Sequence, residues 1–162
     1  MTVAVATPTT VIREAATDDV DRLVAMGRRF RDDTVYASRV RENVEQMAAL
    51  THRLIADENG LLLVVERAGT VVGMIGALLF PHHMSGDLTA GELFFWMEPE
   101  HRGYGVRLLV RAERWARERG ATTMQMIAPS EEVGILYRRL GYSPLEVAYE
   151  KRLGPLGEPV CL

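Results

Sequence analysis

Cysteine is nearly missing from this chain: its one thiol is Cys161, next to last of 162 residues. A single cysteine closes no intrachain disulfide, so stability has to come from a packed core, and the chain suits a reducing compartment. Long apolar runs are lacking as well. The stretch from Val71 to Pro81 is too short to span a bilayer and is interrupted by Gly73 and Gly76. The first ten residues carry no basic region ahead of a sustained apolar run, so no signal peptide is expected. Nor is there an excess of positive charge, with 19 Lys and Arg against 22 Asp and Glu and a net charge of −3. A general nucleic-acid binder needs a clustered positive field. Nucleic acid and membrane are therefore not expected as partners, and a cytoplasmic protein is. A metal centre is not expected either. His82 and His83 are adjacent, adjacent residues seldom aim at one ion, and no third ligand is spaced for it.

What is present is ordinary for a globular protein: 48% hydrophobic and 25% charged residues, over a length that suits one domain. Residues 1–162 read as one domain with a loose arm at 1–10 and a tail at 154–162. Val11 to Ala15 reads as a strand. Thr17 is placed to cap a helix whose first turn holds Asp18 and Asp19, where the dipole favours acids. Val20, Leu23, Val24 and Phe30 fall on one face of it. A second helical stripe runs through Val40, Val44, Met47, Ala48, Leu54 and Ile55 and stops near Asn59-Gly60. The period then changes. Two apolar runs around Arg67-Ala68-Gly69-Thr70 predict a hairpin of buried strands. Pro81 to Ala90 reads as a loop and Glu92 to Met97 as an aromatic-rich strand. Thr122 to Ala128 is the next strand. A helix follows, capped by Ser130 and stopped by Gly141. Leu145 to Leu153 alternates like a last strand. The order β-α-α-β-β-β-α-β-α-β defines an α/β (α+β) fold with a mixed, mostly antiparallel sheet flanked by helices.

The chemistry concentrates in "PEHRGYGVRLLVRAERWARERG", Pro99 to Gly120. A strand, a glycine-bearing turn and a helix start form a place for an anion, because the first amides of a helix lack internal partners. Gly103 and Gly105 permit close backbone approach or positive φ. Taken alone, a phosphate cradle and a plain β-α turn are equally open. A dinucleotide fingerprint would need a third glycine at Leu108, and a Walker loop would need Gly-Lys-Ser/Thr, which is absent. In the helix that follows, Arg107, Arg111, Arg114 and Arg117 share one face, opposite Leu108, Leu109, Ala112, Trp115 and Ala116.

"PEHRGYGVRLL" resembles the acyl-CoA-binding segment of the GNAT superfamily of N-acetyltransferases, whose pattern is Gln/Arg-x-x-Gly-x-Gly/Ala. "ILYRRLGYSPLEVAYEKRL" resembles that family's C-terminal segment, and the element order matches across residues 11–153. The pattern is incomplete in either register. Read from Arg102, Arg107 replaces the last small residue; read from Glu100, an acid replaces the first Gln/Arg. The register with Gly103 and Gly105 in the glycine slots keeps close backbone approach.

The resemblance implies a GNAT fold and acetyl-CoA as co-substrate, with a small-molecule or peptide amine as acceptor. Phe95, Trp96 and Met97 would pair through their backbone with the pantetheine arm. The amides of Arg102, Gly103, Tyr104, Gly105, Val106 and Arg107 would hold the pyrophosphate. Ser130 stands where many members carry a cofactor-touching asparagine. Tyr137 would protonate the leaving thiolate, although its place on the face of Val133, Leu136 and Leu140 also reads as core. An ammonium must lose a proton before it attacks a thioester, so a base is wanted. Glu92, early in an apolar strand, is the first candidate, because burial would raise its pKa; a solvated strand mouth is the plain alternative. Glu98, His82 and His83 stand in reserve. Asp32, Asp33 and Tyr36 either receive a cationic amine or join two helices. The expected activity is acetyl transfer to a primary amine by direct attack in a ternary complex. An inactive acyl-CoA-binding sensor of the same fold is the alternative. A homodimer through the C-terminal strands is left open.

Overall fold

The computed structural model describes residues 8–153. Most of the expected N-terminal arm, the tail at 154–162 and Cys161 lie outside the described residues. The chain divides into two compact units, Met1–Ile127 and Ala128–Leu162.

The first unit is built on a five-stranded sheet in the order β1-β2-β3-β4-β5. β1 (Thr10–Glu14), β2 (Gly60–Arg67), β3 (Thr70–Pro81) and β4 (Leu88–Met97) pair antiparallel, and the short β5 (Thr123–Gln125) joins β4 in parallel. Helices α1 (Val20–Asp32) and α2 (Val44–Ala56) lie between β1 and β2, and α3 (Gly105–Glu118) makes the crossover from β4 to β5. Leu23 and Met26 of α1 and Leu54 of α2 pack with Leu62, Val64, Met74 and Trp96 on one face of the sheet. On the other face α3 buries Leu108, Leu109, Ala112, Trp115 and Ala116. The inner strands are covered on both sides, which is why β2 and β3 read as continuous apolar runs. Their turn uses Ala68 and Gly69 at φ 49° and 78°, the positive-φ pair that a two-residue hairpin requires. The expected mixed, mostly antiparallel sheet with flanking helices is what the chain forms.

Three local expectations change. Thr17 does not cap α1. A single 3-10 turn, Thr17–Asp19, leads into the helix, and the Asp19 carboxylate accepts from the Ala16 amide at 2.8 Å and from Arg13 at 2.7 Å. Asp19 holds the N-cap position of α1 without a side-chain cap bond, its carboxylate being taken up by Arg13 and the Ala16 amide. β4 starts four residues earlier than expected, at Leu88, because the loop is confined to a tight 82–87 turn in which the His82 amide donates to Asp87 O at 2.8 Å. The last strand is absent. In the second unit α4 (Glu131–Arg139) is capped by the Ser130 hydroxyl, which accepts from the Val133 amide at 3.4 Å, and ends at Gly141 with φ 93°. After it, residues 143–153 have no regular structure, and Leu145, Val147 and Tyr149 are 73%, 77% and 94% exposed. Alternation makes a strand only where a neighbour takes the backbone hydrogen bonds and a core takes one face. Within the described residues of this unit no strand stands beside it. Among the described residues no helix is long and apolar enough to cross a membrane.

Candidate active site

β4 has two different halves. Thr89, Ala90 and Gly91 pair with Thr123, Met124 and Gln125 of β5. Past Gly91 no strand among the described residues pairs with β4 on that side, so there Glu92 to Met97 have β3 alone as a neighbour. The ladder shows which backbone groups this leaves bare. The Glu98 amide donates to Val72 O at 2.9 Å, so by strand alternation Trp96 and Phe94 also turn their amides toward β3, while Met97 and Phe95 turn theirs to the bare side. A bulge marks the change of regime: Ala77 faces Glu92 and Gly76 faces Phe94, leaving Leu93 without a partner. It also sets Glu92 and Phe94 on opposite faces of the sheet. Gly76 is required there, because a Cβ on it would stand 2.4 Å from the Phe94 ring.

Glu92 sits where the two strands part. It is 9% exposed, and its carboxylate accepts from the Ile127 amide at 2.9 Å, tying down the chain just beyond β5. Burial pushes its pKa from the ordinary 4.5 to about 7, with the Ile127 amide pulling weakly the other way. Glu98, at the far end of the bare half, is as deeply buried but differently served. Its two oxygens accept from Arg22 at 2.7 Å and Arg29 at 2.9 Å. Arg22 also donates to Val71 O. Through these two guanidiniums Glu98 anchors α1 to the end of β4.

The glycine-bearing stretch begins as a 3-10 turn, Pro99–Tyr104, and passes directly into α3. Neither Gly103 nor Gly105 uses positive φ. Gly105 is there for close approach: a Cβ on it would stand 3.3 Å from Phe95 and 3.4 Å from Met97, while the same addition at Gly103 meets open space. The Gly105 amide already donates to Arg102 O. Arg102 lies over the Trp96 ring at 6.0 Å, and the Tyr104 hydroxyl is bonded to Arg67. Val106 and Arg107 are exposed. The stretch thus brings Phe95, Trp96, Met97, Arg102 and the start of α3 into one neighbourhood. Two buried ring nitrogens there, Trp96 Nε1 and His101 Nδ1, have no partner among the described residues.

The remaining candidates divide. In the second unit, Tyr137 is buried and packs against Tyr142 at 5.6 Å, and the Ser130 hydroxyl is engaged as a helix cap. His82 and His83 stack at 4.7 Å in the β3–β4 turn, with His82 Nδ1 accepting from the Met84 amide. No group of residues able to hold a metal ion occurs among the described residues. The Arg22–Glu98–Arg29 cluster escaped the sequence, since Arg22 and Glu98 are 76 positions apart. The bulge had one signal, glycine inside the strand pattern at Gly76 and Gly91.

The model of the Acetyltransferase (GNAT) family matches residues 23–142, most of the chain. This chain belongs to that family. No curated protein matches it significantly. Solved structures share its fold at low identity. A transcriptional regulator from Bacillus halodurans C-125 is 22% identical with a TM-score of 0.75, over 90% of this chain and 100% of that one. A predicted acetyltransferase with acetyl-CoA from Clostridium acetobutylicum is 16% identical with a TM-score of 0.72, over 89% and 96%. An aminoglycoside acetyltransferase from an uncultured soil metagenomic sample, in complex with sisomicin, is 14% identical with a TM-score of 0.67, over 90% and 97%.

Proposed function

We propose that the chain moves an acetyl group from acetyl-CoA to a primary amine by direct attack in a ternary complex. One observation carries this reading: in a chain of this family, the bare half of β4 begins at a buried, high-pKa carboxylate and runs to the start of α3. The residues present fit the donor. The outward backbone of Phe95 and Met97 would bind the pantetheine arm, with Trp96 beside them under Arg102. In the stretch Arg102, Gly103, Tyr104, Gly105, Val106 and Arg107, whose Gly105 amide is taken by Arg102 O, the other amides and the side chains would meet the pyrophosphate, assisted by the positive end of α3. Ser130 would border the donor from its helix cap.

Glu92 would take a proton from the ammonium, directly or through one water at the splay. A pKa near neutrality suits that step, because the group is ionised at working pH and still basic enough to accept. The freed amine nitrogen attacks the thioester carbon, the C–N bond forms, and a bare β4 amide steadies the oxyanion. The C–S bond then breaks, Tyr137 would give its proton to the sulfur, and the proton shed by the new amide nitrogen would restore the phenol through water. The whole chain would act as one domain, in the cytoplasm.

The test is a thiol-release assay with acetyl-CoA over a panel of amines, comparing the wild type with Tyr137→Phe. An active parent and a mutant slowed at least tenfold support the enzyme reading. Binding of CoA with no transfer to any amine would replace it with the sensor reading.

A further inference from the structure

A cavity of about 240 Å³ lies on the α1–α2 face of the first unit, walled by Leu23 and Phe30 of α1, Leu50 of α2, Met74 of β3, and Leu93 and Phe94 of the bulge. Two of its polar side chains, Arg31 and Thr51, are already engaged. Arg31 reaches the wall, but its guanidinium donates to Val40 O at 2.7 Å and Ala37 O at 3.1 Å and pairs with Asp32. The Thr51 hydroxyl donates to Met47 O at 2.9 Å. No carboxylate lines the space. One end is aromatic, where Phe30 and Tyr36 meet edge to face at 5.5 Å. Asp32 and Asp33, which the sequence offered as receivers of a cationic amine, are exposed, outside the cavity lining.

Resting on the acetyltransferase reading, we propose that this cavity holds the aromatic ring of the acceptor, a small monoamine. Three features argue for it. The lining offers apolar contact and edge-to-face geometry for a ring, and nothing to neutralise a polycation. The size suits a ring: an apolar cavity of roughly 150 Å³ holds benzene, and this one has room for a single ring on a short tether. The position is compatible, since Leu93 and Phe94 stand where the bare edge of β4 begins, with the Glu92 side chain on the other face of the sheet, and a short tether would bring the amine to that edge.

The experiment uses the full chain with 2-phenylethylamine and kanamycin as probes, in wild type and Gly27→Leu. Gly27 lines the cavity, and a Cβ on it stands 3.5 Å from Met47 Sδ, an ordinary contact. Leucine also favours a helix over glycine, so the variant fills the space without unfolding α1. Leu93→Glu, at an exposed wall position, is the second variant. We expect kcat/KM for 2-phenylethylamine at least tenfold above kanamycin. Gly27→Leu should raise the 2-phenylethylamine KM at least tenfold with no fall in melting temperature, and Leu93→Glu should narrow the preference severalfold. Kanamycin as the better substrate, or a 2-phenylethylamine KM indifferent to both variants, overturns the proposal while leaving the acetyltransferase reading intact. Absence of transfer to every amine sinks that reading instead. The cavity is then judged by melting temperature: a rise with 2-phenylethylamine in the wild type that Gly27→Leu abolishes supports it, and no rise overturns it.

Discussion

The two halves of β4 belong to one strand and meet different fates. From Leu88 to Gly91 the strand has a neighbour on each side, and the pairing extends to a Thr89–Thr123 hydroxyl contact at 3.1 Å. From Glu92 to Met97 it has one neighbour, and a buried carboxylate stands at each end. The paired half is structural. The bare half offers unpaired backbone, a group poised near neutral pH, and a helix start a few residues on. A glutamate's surroundings, more than its place in the strand, decide its role. Glu92 has one backbone amide and no cation; Glu98 has two arginines. Burial raises the pKa of the first to about 7, and the second serves as an ion-paired anchor between α1 and β4.

The largest break in this contrast is Glu92→Gln, expected to lower kcat/KM by about a hundredfold or more. Wild-type kcat/KM should climb as pH rises through about 7, and the variant's profile should lose that limb. Stability carries a sign of its own. Folding raises this pKa, so the buried carboxyl favours the fold below about 4.5 and loses that contribution as pH rises through about 7. Glu92→Gln should therefore be the more stable protein at pH 8, by up to about 3 kcal/mol, read from urea denaturation at pH 5 and pH 8.

Glu98→Ala attacks the other carboxylate. Removing one partner of a buried, charge-assisted network costs about 2–3 kcal/mol, and the loss should show in denaturant melts at neutral pH with no new pH dependence near 7. Gly76→Val strikes the bulge between the halves. Its side chain would collide with the Phe94 ring, and overpacking of this kind costs about 1–3 kcal/mol. Because Phe94 also walls the cavity, the amine KM should rise as well. The smallest effect belongs to the paired half: Thr123→Val removes one hydroxyl contact at a partly buried site and should cost under about 1 kcal/mol, with kcat/KM unchanged.

Much of the fold was readable because its signals are local. Buried inner strands announce themselves as apolar runs, the Ala68-Gly69 turn by its dipeptide, and α4 by Ser130 and Gly141. The α3 stretch was readable through its glycines, although their use differs from expectation: Gly105 serves close packing against Phe95 and Met97 and keeps negative φ. What failed was whatever depends on a partner elsewhere in the chain. The alternation of Leu145, Val147 and Tyr149 predicts a strand only if another strand lies beside it. The Arg22 and Arg29 partners of Glu98, a reserve base in the sequence, come from α1 and have no local signal. The split of β4, and with it the distinction between outward Phe95 and Met97 and inward Trp96, depends on where β5 stops.

That distinction gives the most direct test of the account. Amide hydrogen exchange should be measured residue by residue along β4, with and without acetyl-CoA. If the donor lies along the bare edge, the Phe95 and Met97 amides slow at least tenfold, while Phe94 and Trp96, already bonded to β3, change little. Phe95 and Met97 amides that exchange at the same rate with saturating acetyl-CoA would contradict it.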